Sequence, residues 1–237
     1  TISGYTTTKN CIEQKYPWKQ CISSMLGFAS EVVVVDGGST DGTWEELLEW
    51  SNSDQTGKLK VFQVKRDWTH KRFAVFDGLQ KAEARKRCTS EYLWQQDADE
   101  VVHEKDYEKV INLCKNFPRA TALVSLPVIE YWGSTDKIRC DINPWKWRLS
   151  INHKNITHGI PGLLRKTDGE GNLYASPGTD GCDFIFEDSK QPVPHASFYT
   201  EEVNKVRIAA VNGNPDAIKS YQAWFQNVTD VLPSVYH

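Results

Sequence analysis

Two hydrophobic periods alternate along the first hundred residues. Ile2 to Thr8 is a short β-prone run with a polar end, Thr6-Thr7-Thr8-Lys9-Asn10, which predicts a strand feeding a ligand-facing loop. Trp18 to Phe28 places Cys21, Ile22, Met25 and Leu26 at helical spacing. Glu31 to Asp36 is an unbroken β-branched run, the pattern of a strand buried on both faces. Gly37 to Thr43 predicts a tight turn, with Asp41 or Thr43 capping a helix over Trp44 to Ser51. Lys58 to Lys65 reads as a third strand, Phe73 to Cys88 as an amphipathic helix with a basic face, and Tyr92 to Gln96 as a fourth strand. The order β-α-β-α-β-α-β predicts an α/β fold with a mostly parallel, doubly wound sheet.

The second half changes character. A helix is expected over Asp106 to Asn116 and a strand over Ala122 to Tyr131, broken by Pro127. Further strands are expected at Trp145 to Ile151 and Gly162 to Arg165. The Gly-, Asp- and Pro-rich stretch Lys166 to Gly181 predicts a loop, and Glu201 to Val211 and Pro215 to Asn227 predict helices. The chain reads as one domain over 1–237, with a nucleotide-binding half (1–105) and an acceptor half (106–237).

The fourth strand runs into Asp97-Ala98-Asp99-Glu100. In an extended strand alternate residues share a face, so Asp97 and Asp99 point the same way and repel unless a cation lies between them. Mg²⁺ accepts one or two carboxylates and leaves its other positions to water and phosphate oxygens, so the pair suits a diphosphate-holding metal site. An isolated pair of this kind is more often a solvated turn. A net charge of −3 leaves no general basic surface for nucleic acid. No apolar run reaches the ~20 residues of a membrane span, so a cytoplasmic location is expected, with peripheral membrane contact left open. Six scattered cysteines form no C-x-x-C pair, which argues against a zinc site and for free thiols in a reducing compartment. The apolar end, Val235-Tyr236-His237, leads us to expect that the native chain continues.

Val33-Val34-Val35-Asp36-Gly37-Gly38-Ser39-Thr40-Asp41-Gly42-Thr43, taken with Leu93-Trp94-Gln95-Gln96-Asp97-Ala98-Asp99-Glu100, resembles the family 2 glycosyltransferases of the GT-A (Rossmann-like) fold. The likeness is nearest to the lipopolysaccharide core enzymes that carry D-G-G-S-T-D-G-T and D-A-D-E. Gln80-Lys81-Ala82 and His195-Ala196-Ser197-Phe198-Tyr199 are similar to two further elements of that group. The resemblance implies an inverting, Mn²⁺- or Mg²⁺-dependent transfer from a nucleotide-sugar, UDP or GDP by preference, to a glycan or lipid-linked acceptor.

On this footing Thr6, Thr7 and Thr8 lie beside Asp36 and help hold the nucleoside. Asp36 accepts from a base or ribose, or else caps the turn after it. Gly37 and Gly38 let the backbone approach a ligand, or only make the turn. Arg72 and Lys81 are the candidates for the phosphates. The resemblance implies that Asp99 binds the metal directly and that Asp97, beside Ala98, contacts it through water or holds the ribose. A late histidine completes the shell, with His195 the first candidate and His237 its rival. Inversion needs a base for the acceptor hydroxyl. Related sequences carry His-Glu where this chain has His158-Gly159, so the base is sought among Asp180, Asp183, Glu130 and His158 itself. Two other functions compete. A nucleotidyltransferase would be expected to carry a Gly-rich basic loop after the first strand, and an inert carbohydrate-binding module would bind sugar irrespective of nucleotide or metal.

Overall fold

The computed structural model describes residues 1–68, 73–159, 165–167, 173–175, 183–186 and 193–237. Four parallel strands open the fold: β1 (Ile2–Thr8), β2 (Glu31–Asp36), β3 (Leu59–Gln63) and β4 (Tyr92–Gln95), in the spatial order β3-β2-β1-β4. Between them run α1 (Trp18–Leu26), α2 (Thr43–Ser53) and α3 (Phe73–Arg85). Every residue of β2 is buried. Val32 and Val34 pack with Cys21, Ile22 and Met25 of α1 and Leu47 of α2, whereas Val33 and Val35 pack with Ala84 of α3. The period-2 alternation of one apolar strand therefore supplies both faces of a doubly wound sheet.

The same sheet continues through antiparallel β7 (Trp145–Ile151), which pairs with β4 and with β6 (Leu123–Ile129). Beyond β6 lie β13 (Val235–Tyr236) and β5 (Val101–Val102), and β12 (His195–Ala196) pairs the start of β6. Outside this sheet, β8 (Ile156–Gly159) pairs with β11 (Asp183–Phe186), and β9 (Arg165–Thr167) pairs with β10 (Leu173–Ala175). A 3₁₀ turn (Glu104–Asp106) and helices α4 (Tyr107–Lys115), α5 (Glu201–Val211) and α6 (Pro215–Val231) complete the described elements. Asn214 starts α6 by accepting from the amides of Asp216 and Ala217, with Pro215 at the first helical position. Tyr199 and Trp224 then pack on Trp145, tying α6 to the sheet.

Two expectations for the second half are corrected. Pro127 does not break its strand. The Val128 amide donates to Pro144 on the β7 side (2.6 Å), so the N–H that Pro127 lacks would face the other edge, before β13 begins opposite Val128. The stretch from Lys166 is not loop throughout, because Arg165–Thr167 and Leu173–Ala175 form a ladder. Residues 162–164 lie outside the described residues.

The N-terminal layer holds a buried carboxylate that bears on acid stability. Burial alone would raise the Glu31 carboxyl, but hydrogen bonds from Lys60, Ser3 and Thr89 outweigh it and hold it at about 2. A carboxyl depressed on folding stabilises the protein above its unfolded value of 4.5, and that contribution is lost as pH falls towards 2. Glu31→Gln is therefore expected to lower stability at pH 7 and to flatten its decline between pH 4.5 and 2. Denaturant midpoints across that window test this, and parallel pH profiles for the two proteins would contradict it.

Candidate active site

The chemistry-bearing residues gather at the carboxyl ends of β1 and β4, where parallel α/β sheets leave a crevice. A cavity of about 300 Å³ opens there, lined by Thr7, Thr8, Lys9, Tyr16, Trp68, Lys81, Asp97, Ala98, Asp99, Lys146 and His237 among others.

The two aspartates do not share an extended strand. β4 ends at Gln95, and the Glu100 amide donates to the Asp97 carbonyl (3.0 Å), closing a turn over Asp97-Ala98-Asp99-Glu100. The Glu100 carboxylate accepts from the Asp97 amide (3.0 Å) and from Arg148 (2.5 Å). A fully buried glutamate thus braces the turn, and the two aspartates acquire different partners. Asp97 Oδ1 meets Lys81 Nζ at 2.7 Å and Gln95 Nε2 at 2.9 Å, and its Oδ2 meets Arg148 at 2.9 Å. Burial alone would raise the Asp97 carboxyl, but Lys81, Arg148 and Lys146 hold it well below the usual carboxylate range.

Asp99 faces the late histidine. Its Oδ2 lies 3.1 Å from His237 Nε2, and Glu130 lies 3.5 Å from Nδ1 of the same ring. The chain is held there by β13: the His237 amide donates to Ile129, and the Tyr131 amide donates to His237. The hydrogen bond to Asp99 raises the imidazole to about 9, outweighing its partial burial.

This geometry provides a test of fit for a divalent ion. Two donors on one octahedral ion with bonds of about 2.1 Å stand about 3 Å apart; Asp99 Oδ2 and His237 Nε2 meet that separation. An ion on Nε2 would take the place of the proton held there. A carboxylate on the second ring nitrogen, here Glu130, is the usual support of a ligating histidine. Two protein ligands fit, with other positions left for water and phosphate. Among the described residues no cluster of three or more His, Cys, Asp or Glu forms a site by itself. Asp97 is already committed to two cations.

Several predicted residues occupy other places. Asp36 is fully buried, and its carboxylate accepts from the Gly38 and Ser39 amides and from the side chains of Thr8, Ser39 and Gln63. Five donors exhaust about four lone-pair positions. Asp36 therefore caps the turn, the alternative open in the sequence. Gly37 gives close approach to Trp68 of the same chain: Trp68 donates to the Gly37 carbonyl (2.8 Å), and an added Cβ would lie 2.7 Å from the indole. Gly38, at φ +89°, accepts from Lys9. Thr6 is buried and absent from the cavity wall.

His195 does not join His237. It pairs opposite Leu123, six residues before Ile129, about 20 Å away at ~3.3 Å per residue; there it packs edge-on against Trp147. His158 is buried and bonds Tyr5 Oη through Nε2 (2.6 Å). Glu130 pairs with Arg139 as well as His237. Asp183 opens β11 opposite Gly159, and Arg72 and Asp180 lie outside the described residues.

The sequence reading missed Arg148, Glu100, Lys146, Lys9 and Trp68. Arg148 did leave a signal, an arginine at an interior position of the apolar strand Trp-Lys-Trp-Arg-Leu-Ser-Ile. A cation at such a position requires a buried partner.

Comparison with known families settles the family. The model of glycosyl transferase family 2 matches residues 7–167, more than half of the chain. The chain belongs to this family. The protein thus contains a glycosyl transferase family 2 domain, built on a mixed α/β sheet. No curated protein matches this chain in sequence. Among solved structures, the first 349 residues of TarS from S. aureus are 16% identical, with 89% of this chain and 64% of that one covered at a TM-score of 0.49. The same protein in complex with UDP-GlcNAc is 21% identical over 56% of this chain and 36% of that one, at 0.44. The mannosyltransferase PcManGT from Pyrobaculum calidifontis, in complex with GDP-Man and Mn²⁺, is 21% identical over 53% and 34%, at 0.41. The chain spans less than two thirds of the length of each of these. No described helix is long and apolar enough to cross a membrane.

Proposed function

We propose that this domain transfers a sugar from a nucleotide-sugar to a glycan or lipid-linked acceptor hydroxyl, with inversion, using a divalent ion held by Asp99 and His237. The carrying observation is the Asp99–His237 pair in a cavity that also presents Lys9, Lys81 and Lys146. Tyr16 and Trp68 offer aromatic walls to a nucleobase, and the three lysines face its diphosphate. With Asp36 spent on its own turn, nucleoside recognition falls to the Thr7-Thr8-Lys9 edge and Trp68. When bound, Mn²⁺ or Mg²⁺ neutralises charge growing on the leaving diphosphate. Asp97 acts here through Lys81 and Arg148, setting their positions.

The acceptor oxygen forms its bond to the anomeric carbon as the carbon–phosphate oxygen bond breaks, and its proton passes to a base. Glu130 and His158 have partners of their own, and the carboxylates of Asp180 and Asp183 are the bases proposed for this step. The test is release of UDP or GDP from a panel of UDP- and GDP-sugars, with and without acceptor glycans. Metal-dependent release is expected, abolished by EDTA and restored by Mn²⁺. Pyrophosphate release from a nucleoside triphosphate would instead favour a nucleotidyltransferase.

A further inference from the structure

The segment after β6 folds into a hairpin joined to His237. Tyr131 bridges Ile138, the Trp132 amide donates to Lys137 (2.9 Å), and the Arg139 amide donates to Glu130 (2.8 Å). On its other edge the same stretch pairs with the chain end, where the Tyr131 amide donates to His237 (2.8 Å). Alternate residues of an extended stretch share a face, so Trp132 follows Glu130 onto the side that meets His237, about 7 Å further along the backbone. Arg139 touches both side chains. Its guanidinium lies 3.4 Å from Glu130 and 5.0 Å from the centre of the Trp132 ring. Ile138, exposed as well, pairs with Tyr131 and belongs to the opposite face.

Of the nine tryptophans Trp132 alone is exposed, at 64%, and the other eight are buried or half-buried. The ring is nevertheless held. Arg139 covers part of it, and two bonds to Asp141 (3.0 and 2.9 Å) and the pair with Glu130 fix that guanidinium in turn. A large apolar ring kept in water forgoes the gain of burial, which a ligand laid on it would supply. A pyranose matches such a surface, with apolar C–H groups for the indole and hydroxyls at its rim for water and the indole N–H. The turn itself, Gly133-Ser134-Thr135-Asp136-Lys137, is polar, unlike the apolar face of a segment that enters a bilayer. Trp132 is also absent from the wall of the first cavity, which has Tyr16 and Trp68 for a nucleobase. We propose that Trp132 is the platform on which a sugar ring of the acceptor stacks. The inference rests on the first cavity being the donor site and on a glycan acceptor; the contacts His237–Glu130–Arg139–Trp132 then set the platform beside the reacting centre.

The test labels the indoles of the whole chain with nitrogen-15 and titrates chitotriose, maltotriose and mannotriose separately, without nucleotide. The signal missing from Trp132→Phe identifies Trp132. At least one trisaccharide is expected to move that signal, with affinity lowered about tenfold in Trp132→Ala and less in Trp132→Phe, at a little-changed thermal midpoint. Failure of all three to move it, or equal affinity in Trp132→Ala, would overturn the proposal. So would a shift caused by phosphatidylcholine vesicles and by no sugar, which would assign the ring to a membrane surface. UDP and GDP are titrated with Mn²⁺ into the same proteins, and Trp132→Ala is expected to bind them as the parent does; weaker binding would place Trp132 in the donor site and overturn the proposal. Should neither nucleotide bind the parent, the donor-site reading fails on its own, while the sugar titration still decides Trp132.

Discussion

Replacing Asp99 with Asn is expected to lower sugar transfer by about 10²–10³-fold, the typical loss when one preorganised charge stabiliser is removed, while leaving the fold intact. The two halves of this prediction have separate grounds. Asp99 is partly exposed and its recorded partner is His237, which keeps Glu130 on its other nitrogen when Asp99 is neutralised. An ion pair of this exposure contributes about 0–1 kcal/mol to stability. Its proposed function is a separate matter, because a neutral amide would replace one of the two ligands proposed for a divalent ion. His237→Asn should act on the same step, and the two together should cost little more than either alone, since each already spoils the same site. Steady-state turnover beside thermal midpoints checks this. Normal turnover of a folded Asp99→Asn protein would remove the role assigned to the pair.

Arg148→Met is expected to destabilise the domain by about 3–5 kcal/mol, the range for removing one partner of a buried ion pair. Arg148 is buried and touches Glu100, Asp97 and Gln95 at 2.5–2.9 Å. Without it, Glu100 keeps, among the described residues, only Lys146 as a charged partner, at 3.3 Å, in a site closed to solvent. The loss acts on function as well, because Glu100 braces the turn that carries Asp97 and Asp99. Glu100→Gln in the Arg148→Met background should recover part of the stability by removing the stranded charge. Denaturant unfolding measures both. A single variant within 1 kcal/mol of the parent would show that the arginine is not the brace described.

The first half of the fold was legible because its signals are local. β2 announces itself as an apolar β-branched run, and the helices between the strands follow from spacing; the expected cap does not, because Gly42 rather than Asp41 or Thr43 stands at the N-cap of α2, with no side-chain cap. The D-A-D-E segment lies on the wall of the candidate cavity, but its shape was misread. Whether the strand stops at Gln95 or runs on is decided by Arg148 and Glu100, and Arg148 lies some fifty residues downstream. Asp36 shows a similar limit: its residue type suits either a ligand or a turn, and five donors folded around it chose the turn. The two histidines had equivalent local sequence, each ending an apolar stretch. Which end of β6 each one meets separates them, and two-residue strands such as β12 and β13 have no periodicity to read. Pro127 kept its strand because a neighbouring edge was vacant at that position, a fact of tertiary pairing.

The most direct measurement is calorimetric titration of UDP, GDP, CDP and dTDP into the protein, each with and without Mn²⁺. The account predicts that one nucleotide binds with a clear requirement for Mn²⁺, and that Asp99→Asn loses the metal-dependent part. Binding indifferent to Mn²⁺, or no binding by any of the four to a folded sample, would contradict it.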